Sequence, residues 1–298
     1  MSRSGARPVV FGEVLFDCFP DGSRVLGGAP FNVAWHLRGF GEEPLFISRV
    51  GNDRAGEQVR SAMNSWKLDT AGLQTDDEHP TGTVQIHLHE GEPHFDIVSD
   101  QAYDFLKADA LPDLDQPAFL YHGSLAVRGR TSREALDALL KDHAPRIFLD
   151  VNLRKPWWSV DEVIGMMDRC TWLKLNADEL DELVPGEGNL TARVQDLRHR
   201  FGLEQVVVTR GGEGALAVTA GAEKVKVRPQ PAVRLVDTVG AGDAFASVLM
   251  LGLLRNWTLP ETLGRAQDFA SSIVGVRGAT VVDPGFYQNH LKNWNTHS

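Results

Sequence analysis

The chain has 298 residues, of which 42% are hydrophobic and 23% charged, enough to bury a substantial core in one large domain or a domain with an attachment. A net charge of −10 argues against nucleic acid or an anionic membrane surface as the main partner, yet leaves room for a phosphate ligand met by local dipoles. Cys18 and Cys170 are far apart and fit neither a disulfide framework nor a zinc site, so both read as small buried hydrophobes. The first eight residues carry no apolar leader-like run and no later run approaches membrane-spanning length, so the expected setting is the cytoplasm.

Strands and helices alternate along the chain, the pattern of a parallel sheet covered on both faces. Residues 8–12 start as a buried strand. Residues 30–40 read as a helix, with Pro30 suited to its first turn and Gly41 to its stop. Residues 45–50 are a strand and 56–66 a helix. Residues 83–89 alternate at period two, turn through 90–93 and return over 94–98, which predicts a hairpin with a single apolar face. His87 and His89 share one face of it, with Glu90 and His94 near, and exposed polar residues are the reading preferred to a metal cluster. Strands follow at 118–121, 147–151, 172–175 and 205–209, with helices between them that include 132–140 and 190–201, and 247–254 reads as a buried helix.

Several stretches on this pattern carry chemistry. In Gly27-Gly28-Ala29-Pro30-Phe31-Asn32, paired glycines permit a ligand to approach the backbone, and Asn32 offers a donor and an acceptor to a sugar hydroxyl; the plain alternative is a loop before a Pro-started helix. Asp17 follows the first strand, as an acceptor or as an ordinary loop residue. Asp150-Val151-Asn152-Leu153-Arg154 follows a β-run, near the strand ends where open α/β sheets bind ligands, with Arg154 either on a phosphate or sugar oxygen or simply on the surface. Asn176-Ala177-Asp178-Glu179 has the look of a capped helix with an acidic first turn. Glycines in Thr209-Arg210-Gly211-Gly212-Glu213-Gly214 sit between two β-runs and could be only hairpin chemistry. In Asp237-Thr238-Val239-Gly240-Ala241-Gly242-Asp243, the glycines let the backbone turn its N–H groups toward an anion, and the following helix adds its first-turn donors and dipole. A carboxylate beside an anion cradle suits phosphoryl transfer to an alcohol; the alternative is a Gly-rich turn with Asp243 as N-cap. No G-x-x-x-x-G-K-[ST] occurs, which excludes a Walker-type kinase, and no G-x-G-x-x-G follows the first strand, which disfavours a Rossmann dehydrogenase.

The string from Asp237 to Asp243 resembles in full the D-T-x-G-A-G-D signature of the ribokinase-like (PfkB) carbohydrate kinases, and further matches run from near residue 8 to near residue 280. The resemblance implies a three-layer α/β/α fold with a central, mostly parallel sheet, in a single kinase domain over 1–298. It adds a small β-sheet lid, formed from about 13–26 and 81–100, over the sugar site. It implies Asp243 as the base, Gly240, Ala241 and Gly242 as the anion hole, and Asp17, Gly28 and Asn32 on the sugar. Arg154 joins them through the D-x-N-x-R of fructokinase-like members. Asn176 would contact a nucleotide phosphate and Glu179 would act on magnesium through water, which suits a hard cation that keeps its waters. Thr209, Gly211 and Gly214 would lie along ATP. In many members a region equivalent to Asp237 and the loop near Val276-Arg277-Gly278-Ala279 holds a monovalent cation, potassium being the one implied.

The Gly-Gly-Ala-Pro form looks most like fructokinases, whereas ribokinases more often have Lys-Gly where Ala29-Pro30 stand. Fructose is therefore expected ahead of ribose, 2-keto-3-deoxygluconate or a nucleoside. Trp35, Phe95, Tyr103 and Phe105 are read as core or as acceptor lining. A non-catalytic sugar or nucleotide sensor is the rival from another class, disfavoured by the intact Asp243. The partners expected are a sugar and ATP, with no nucleic acid and no membrane, and a homodimer through the lid.

Overall fold

Runs of branched and aromatic residues form the strands, and residues with capping side chains open most of the helices between them. The computed structural model describes residues 7–89, 92–114, 116–143, 145–229 and 236–296. These fall into two compact units, one of residues 1–118 with 126–145 and one of 119–125 with 146–298.

The first unit contains β1 (Val9–Phe11), β2 (Leu15–Cys18), β3 (Arg24–Gly27), α1 (Ala29–Gly39), β4 (Leu45–Gly51), α2 (Arg54–Ser65), β5 (Leu73–Asp76), β6 (Gly82–His89), β7 (Glu92–Ile97) and α3 (Arg130–His143). Strands β1, β4 and β5 pair in parallel, Val10 opposite Phe46 and Ser48 opposite Leu73, and every residue of β1 and β4 is buried. Helix α1 packs on β1 and β4, and α2 on β4. The second helix starts at Arg54, before the expected residue 56, because the Asp53 side chain accepts from the Gly56 N–H and caps it.

A separate 4-stranded sheet has the order β3-β2-β6-β7. Its strands fall within 13–26 and 81–100, the segments expected for a lid, extended by Gly27. The period-two reading holds: Val84 and Ile86 are buried on one face, Thr83 and Gln85 are half-buried, and His87 is exposed. The turn residues Glu90 and Gly91, and the side chains of His89 and His94, lie outside the described residues.

The second unit contains β8 (Leu120–His122), β9 (Ile147–Asp150), α4 (Val160–Met167), β10 (Trp172–Asn176), α5 (Ala177–Leu183), α6 (Leu190–Arg200), β11 (Gln205–Thr209), β12 (Ala215–Thr219), β13 (Lys224–Val227), α7 (Ala241–Arg255), α8 (Leu259–Ile273) and α9 (Pro284–Thr296). Its strand order is β13-β12-β11-β10-β9-β8, parallel from β8 to β11 and antiparallel beyond. The edge strand β13, Lys-Val-Lys-Val, alternates exposed and half-buried residues, and its lysines blunt the open edge. Helix α7 is apolar and buried from Ala244 to Gly252, and it packs along α8. Its Phe245, Val248, Leu249, Met250 and Leu251 side chains, taken fully out of water, contribute about 1.5–3 kcal/mol each. A mostly parallel sheet with helices and a smaller separate sheet is the fold class expected from the sequence. No helix of the described residues is long and apolar enough to cross a membrane.

Candidate active site

Three of the residues read as sugar contacts, Asp17, Gly28 and Asn32, come together within the first unit, while Arg154 lies in the second. Asp17 on β2 pairs with Val25 of β3 and Val84 of β6, so it shares the face of the small sheet that carries Val84 and Ile97. Gly28 follows β3 at φ 107°, and a methyl group there would lie 2.7 Å from the Glu13 carbonyl oxygen. Only glycine fits both the backbone and the space. Gly28 then caps α1, its carbonyl accepting the Asn32 N–H at 2.8 Å, which fixes Asn32 in the first turn with 3% of its surface exposed. A methyl group placed on Gly27 would lie 3.6 Å from Asp17 Oδ2 and 3.9 Å from Asn32 Oδ1. Two oxygens from different elements thus face one small space, which a sugar hydroxyl can fill as donor.

Of the aromatics considered as acceptor lining, Trp35 is buried and stacks on Trp66, and Tyr103 is fully buried. Phe105 stacks on His79. Those three belong to the packing; Phe95, 47% exposed, stands out from the sheet.

The second group lies in the second unit, at the ends of its parallel strands. Gly240 takes a left-handed conformation, φ 79° and ψ −5°, and is the N-cap of α7. A methyl group on Gly240 would collide with the Ala279 side chain. Asp243 occupies the third position of the helix. It is not the N-cap but a first-turn residue, where a carboxylate meets the positive end of the helix dipole. Asp237 binds the turn to the loop beyond α8: its Oδ1 accepts the Val239 N–H at 3.0 Å and its Oδ2 the Gly278 N–H at 3.1 Å.

Asn176 and Glu179 form a reciprocal capping box on α5, with Asn176 Oδ1 accepting the Glu179 N–H at 2.9 Å and Glu179 Oε2 the Asn176 N–H at 2.7 Å. Glu179 Oε1 also accepts the Leu153 N–H at 2.8 Å, so this carboxylate joins α5 to the Asp150–Arg154 stretch. Burial pushes the Glu179 carboxyl upward against the hydrogen bonds and the Lys174 charge. Arg154 is exposed and its Nη1 donates to the Leu153 carbonyl. Thr209 pairs in register with Asn176, and Gly211 and Gly214, both at positive φ, carry the turn into β12. In Gly214 a methyl group would collide with the Val227 carbonyl.

One site residue escaped the sequence reading. Lys174, in the middle of β10, is buried, and its Nζ donates to both oxygens of Asp150 at 2.8 Å. A methyl group on Gly242 would lie 3.7 Å from that Nζ, so the ammonium lies against the first turn of α7. Burial opposes the charge, but Asp150, Glu179 and Asp243 outweigh it and hold the Lys174 pKa above its ordinary value. The available signal was a lone lysine inside an apolar strand. Tyr121 completes the cluster, its hydroxyl donating to Asp150 Oδ2 at 3.3 Å.

Among the described residues no cluster of three or more His, Cys, Asp or Glu could by itself hold a metal. The donors present are nevertheless all oxygen, and Glu179 keeps lone pairs beyond its two backbone bonds, which fits magnesium held through water beside a substrate phosphate.

Residues 17–284 match the model of the pfkB family carbohydrate kinases. The chain is 30% identical to a fructokinase of Salmonella typhimurium over 96% of its length and 98% of that protein. It is also 30% identical to the aminoimidazole riboside kinase of the same species, over 92% of this chain and 91% of the other. Among solved structures, a Vibrio cholerae fructokinase double mutant with fructose, ADP and potassium superposes with a TM-score of 0.82 at 27% identity, over 98% of this chain and 100% of that one. The aminoimidazole riboside kinase of Salmonella enterica, with its riboside and an ATP analogue, gives 0.81 at 27% identity over 96% and 99%.

Proposed function

The chain belongs to the pfkB family of carbohydrate kinases, and we propose that within it the protein transfers the γ-phosphoryl group of ATP to a hydroxyl of fructose. The observation that carries the chemistry is the start of α7. Gly240 is the N-cap, with no side-chain cap bond, and Asp243 stands in the first turn beside the cradle of N–H groups and within the field of Lys174. In this reading Asp243 receives the proton of the attacking hydroxyl, and the N–H groups of Gly240, Ala241 and Gly242 take the negative charge that spreads over the transferring phosphoryl oxygens. Lys174 adds a fixed positive charge beside that turn. Its attraction for phosphate is tempered by Asp150, which also keeps it in place. Asp17 and Asn32 accept and orient the sugar hydroxyls around Gly27, with Gly28 fixing the approach and Arg154 available to a further oxygen. Asn176, Thr209, Gly211 and Gly214 line the nucleotide. Magnesium, held through water by Glu179, would neutralise phosphate charge, and Asp237 with its loop would take a monovalent cation. The small sheet acts as lid and as the surface of a homodimer, within one kinase domain.

A nucleoside acceptor is the second reading, supported by the likeness to aminoimidazole riboside kinase, which equals the likeness to fructokinase in identity. Gly27-Gly28-Ala29-Pro30 favours fructose. Release of ADP from ATP and magnesium, measured with fructose, ribose, 2-keto-3-deoxygluconate and a purine nucleoside in turn, tests the choice. The expected result is the highest kcat/KM with fructose. A nucleoside preferred by more than about tenfold, a difference of about 1.4 kcal/mol in transition-state binding, would make the second reading the correct one.

A further inference from the structure

A buried charge cluster in the first unit has no part in the roles assigned above. Arg128, in a short 3-10 turn (Ala126–Arg128), has only 7% of its side chain exposed. Its Nε donates to Asp104 Oδ1 at 2.7 Å and its Nη2 to Asp104 Oδ2 at 2.8 Å, the two-pronged arrangement that a guanidinium alone provides. The same Nη2 donates to the Val98 carbonyl at 2.7 Å and to the Tyr103 hydroxyl at 3.1 Å. Val98 is the residue at which the chain leaves β7. Glu13, buried two residues before β2, adds its field to the same guanidinium. Burial works against the Arg128 charge, and Asp104, Tyr103 and Glu13 more than offset it.

The other foot of the hairpin has a separate fastening. Asp53 Oδ1 accepts the Thr81 hydroxyl at 2.8 Å and the Gly56 N–H at 2.7 Å, while Oδ2 accepts the Thr81 N–H at 2.9 Å, one residue before β6. Entry to the hairpin is therefore held by Asp53, and the exit is held by Arg128. The Ala102 N–H, donated to the Pro80 carbonyl at 2.8 Å, links the two feet.

We infer that Arg128, seated on Asp104, is a positioning residue for acceptor binding: it fixes the exit of β7, and with it the register of the small sheet that carries Asp17. The inference rests on the proposal that Asp17 binds the acceptor. Arg128 touches neither sugar nor nucleotide in this account. It acts through β7, whose Ile97 pairs with Val84, which in turn pairs with Asp17.

Arg128→Lys tests this, because lysine keeps a charge for Asp104 but lacks the planar fork that also reaches Val98. The expected result is a rise of roughly tenfold in the KM for the sugar, the size of one lost charge-assisted hydrogen bond, with the KM for ATP and kcat at saturating sugar within about twofold of wild type. A uniform loss in all three parameters, or no change in any, overturns the inference. Hydrogen exchange on the wild-type enzyme without sugar gives an arm that needs no variant. The Val98 amide, at the fixed foot, should be protected, and free exchange at Val98 also overturns it. Asp17→Asn separates this inference from the reading beneath it. If Asp17→Asn leaves the sugar KM unchanged, the acceptor assignment fails and the exchange data alone decide on Arg128. If Asp17→Asn raises the sugar KM and Arg128→Lys does not, only the role of Arg128 is lost.

Discussion

A methyl group at Gly27 is the smallest probe of the proposed acceptor site. At 3.6 and 3.9 Å from the Asp17 and Asn32 oxygens it would make ordinary contacts, so the fold accepts it while the space for a hydroxyl disappears. Gly27→Ala is expected to raise the KM for sugar by roughly tenfold and to leave that for ATP unchanged, since the interaction lost is a hydrogen bond to a charged acceptor. Steady-state kinetics with each substrate varied in turn would show it, and an equal effect on both would move the acceptor elsewhere. His122 gives a prediction in pH. The imidazole is fully buried, Nδ1 lies 2.9 Å from the Gly123 carbonyl, and burial pushes its pKa down from 6.5 to about 4. The unfolded chain therefore takes up a proton that the folded chain refuses between those values. Stability is complete above about pH 6.5 and falls as pH drops toward about 4, by about 3 kcal/mol in all. His122→Gln should flatten this slope in urea midpoints compared at about pH 7.5 and about pH 4.5; the same slope in both proteins would acquit His122. At this scale Asn32 and Asp243 were singled out because glycines stand just before them in the sequence, and Asp17 through the resemblance to the family's acid after the first strand. Lys174 was not, because its reason for being charged is Asp150, 24 residues away and brought opposite it only by the pairing of β9 with β10.

The hairpin of β6 and β7 shows what an element adds. Its alternation was readable, and Val84, Ile86 and Ile97 fill the buried face as that alternation requires. A half-buried sheet has few contacts to resist opening, so the strand amides between the two feet should exchange more slowly with saturating fructose than without it. Exchange unaffected by sugar would make the sheet a fixed surface, and dimerisation its better use. The helices read at 30–40, 56–66, 132–140 and 190–201 were placed to within a few residues, that read at 247–254 starts earlier at Ala241, and α4, α8 and α9 were not read. Two of the shifted ends have local causes, since Asp53 starts α2 early and Gly28 caps α1. The 3-10 turns Ala102–Phe105 and Ala126–Arg128 left no mark in the sequence. Such short turns carry no periodicity, and here Asp104 and Arg128 hold each other across 24 residues. Strand β13 was also missed, since Lys-Val-Lys-Val offers an edge strand only half a hydrophobic face.

For the molecule as a whole, the fold class followed from the βα rhythm and from motifs spread through both units, and likeness over nearly the full chain to solved kinases agrees with it. Substrate choice was the least legible property. In the proposed reading it depends on hydroxyl-sized spaces such as that at Gly27, which composition does not record and which a single extra atom closes. With a net charge of −10, the proposed reading assigns phosphate recognition to local groups: the dipole of α7, Lys174 and magnesium. Turnover is therefore expected to hinge on one carboxylate at one helix start. The direct test is ADP release from ATP and magnesium with saturating fructose, for the wild type and Asp243→Ala side by side, with calorimetric binding of both ligands to each. The account predicts fructose-dependent release by the wild type and a kcat lower by roughly 10²–10⁴-fold in the variant, with both ligands still bound. Near-normal turnover by Asp243→Ala, or binding lost along with turnover, would contradict it.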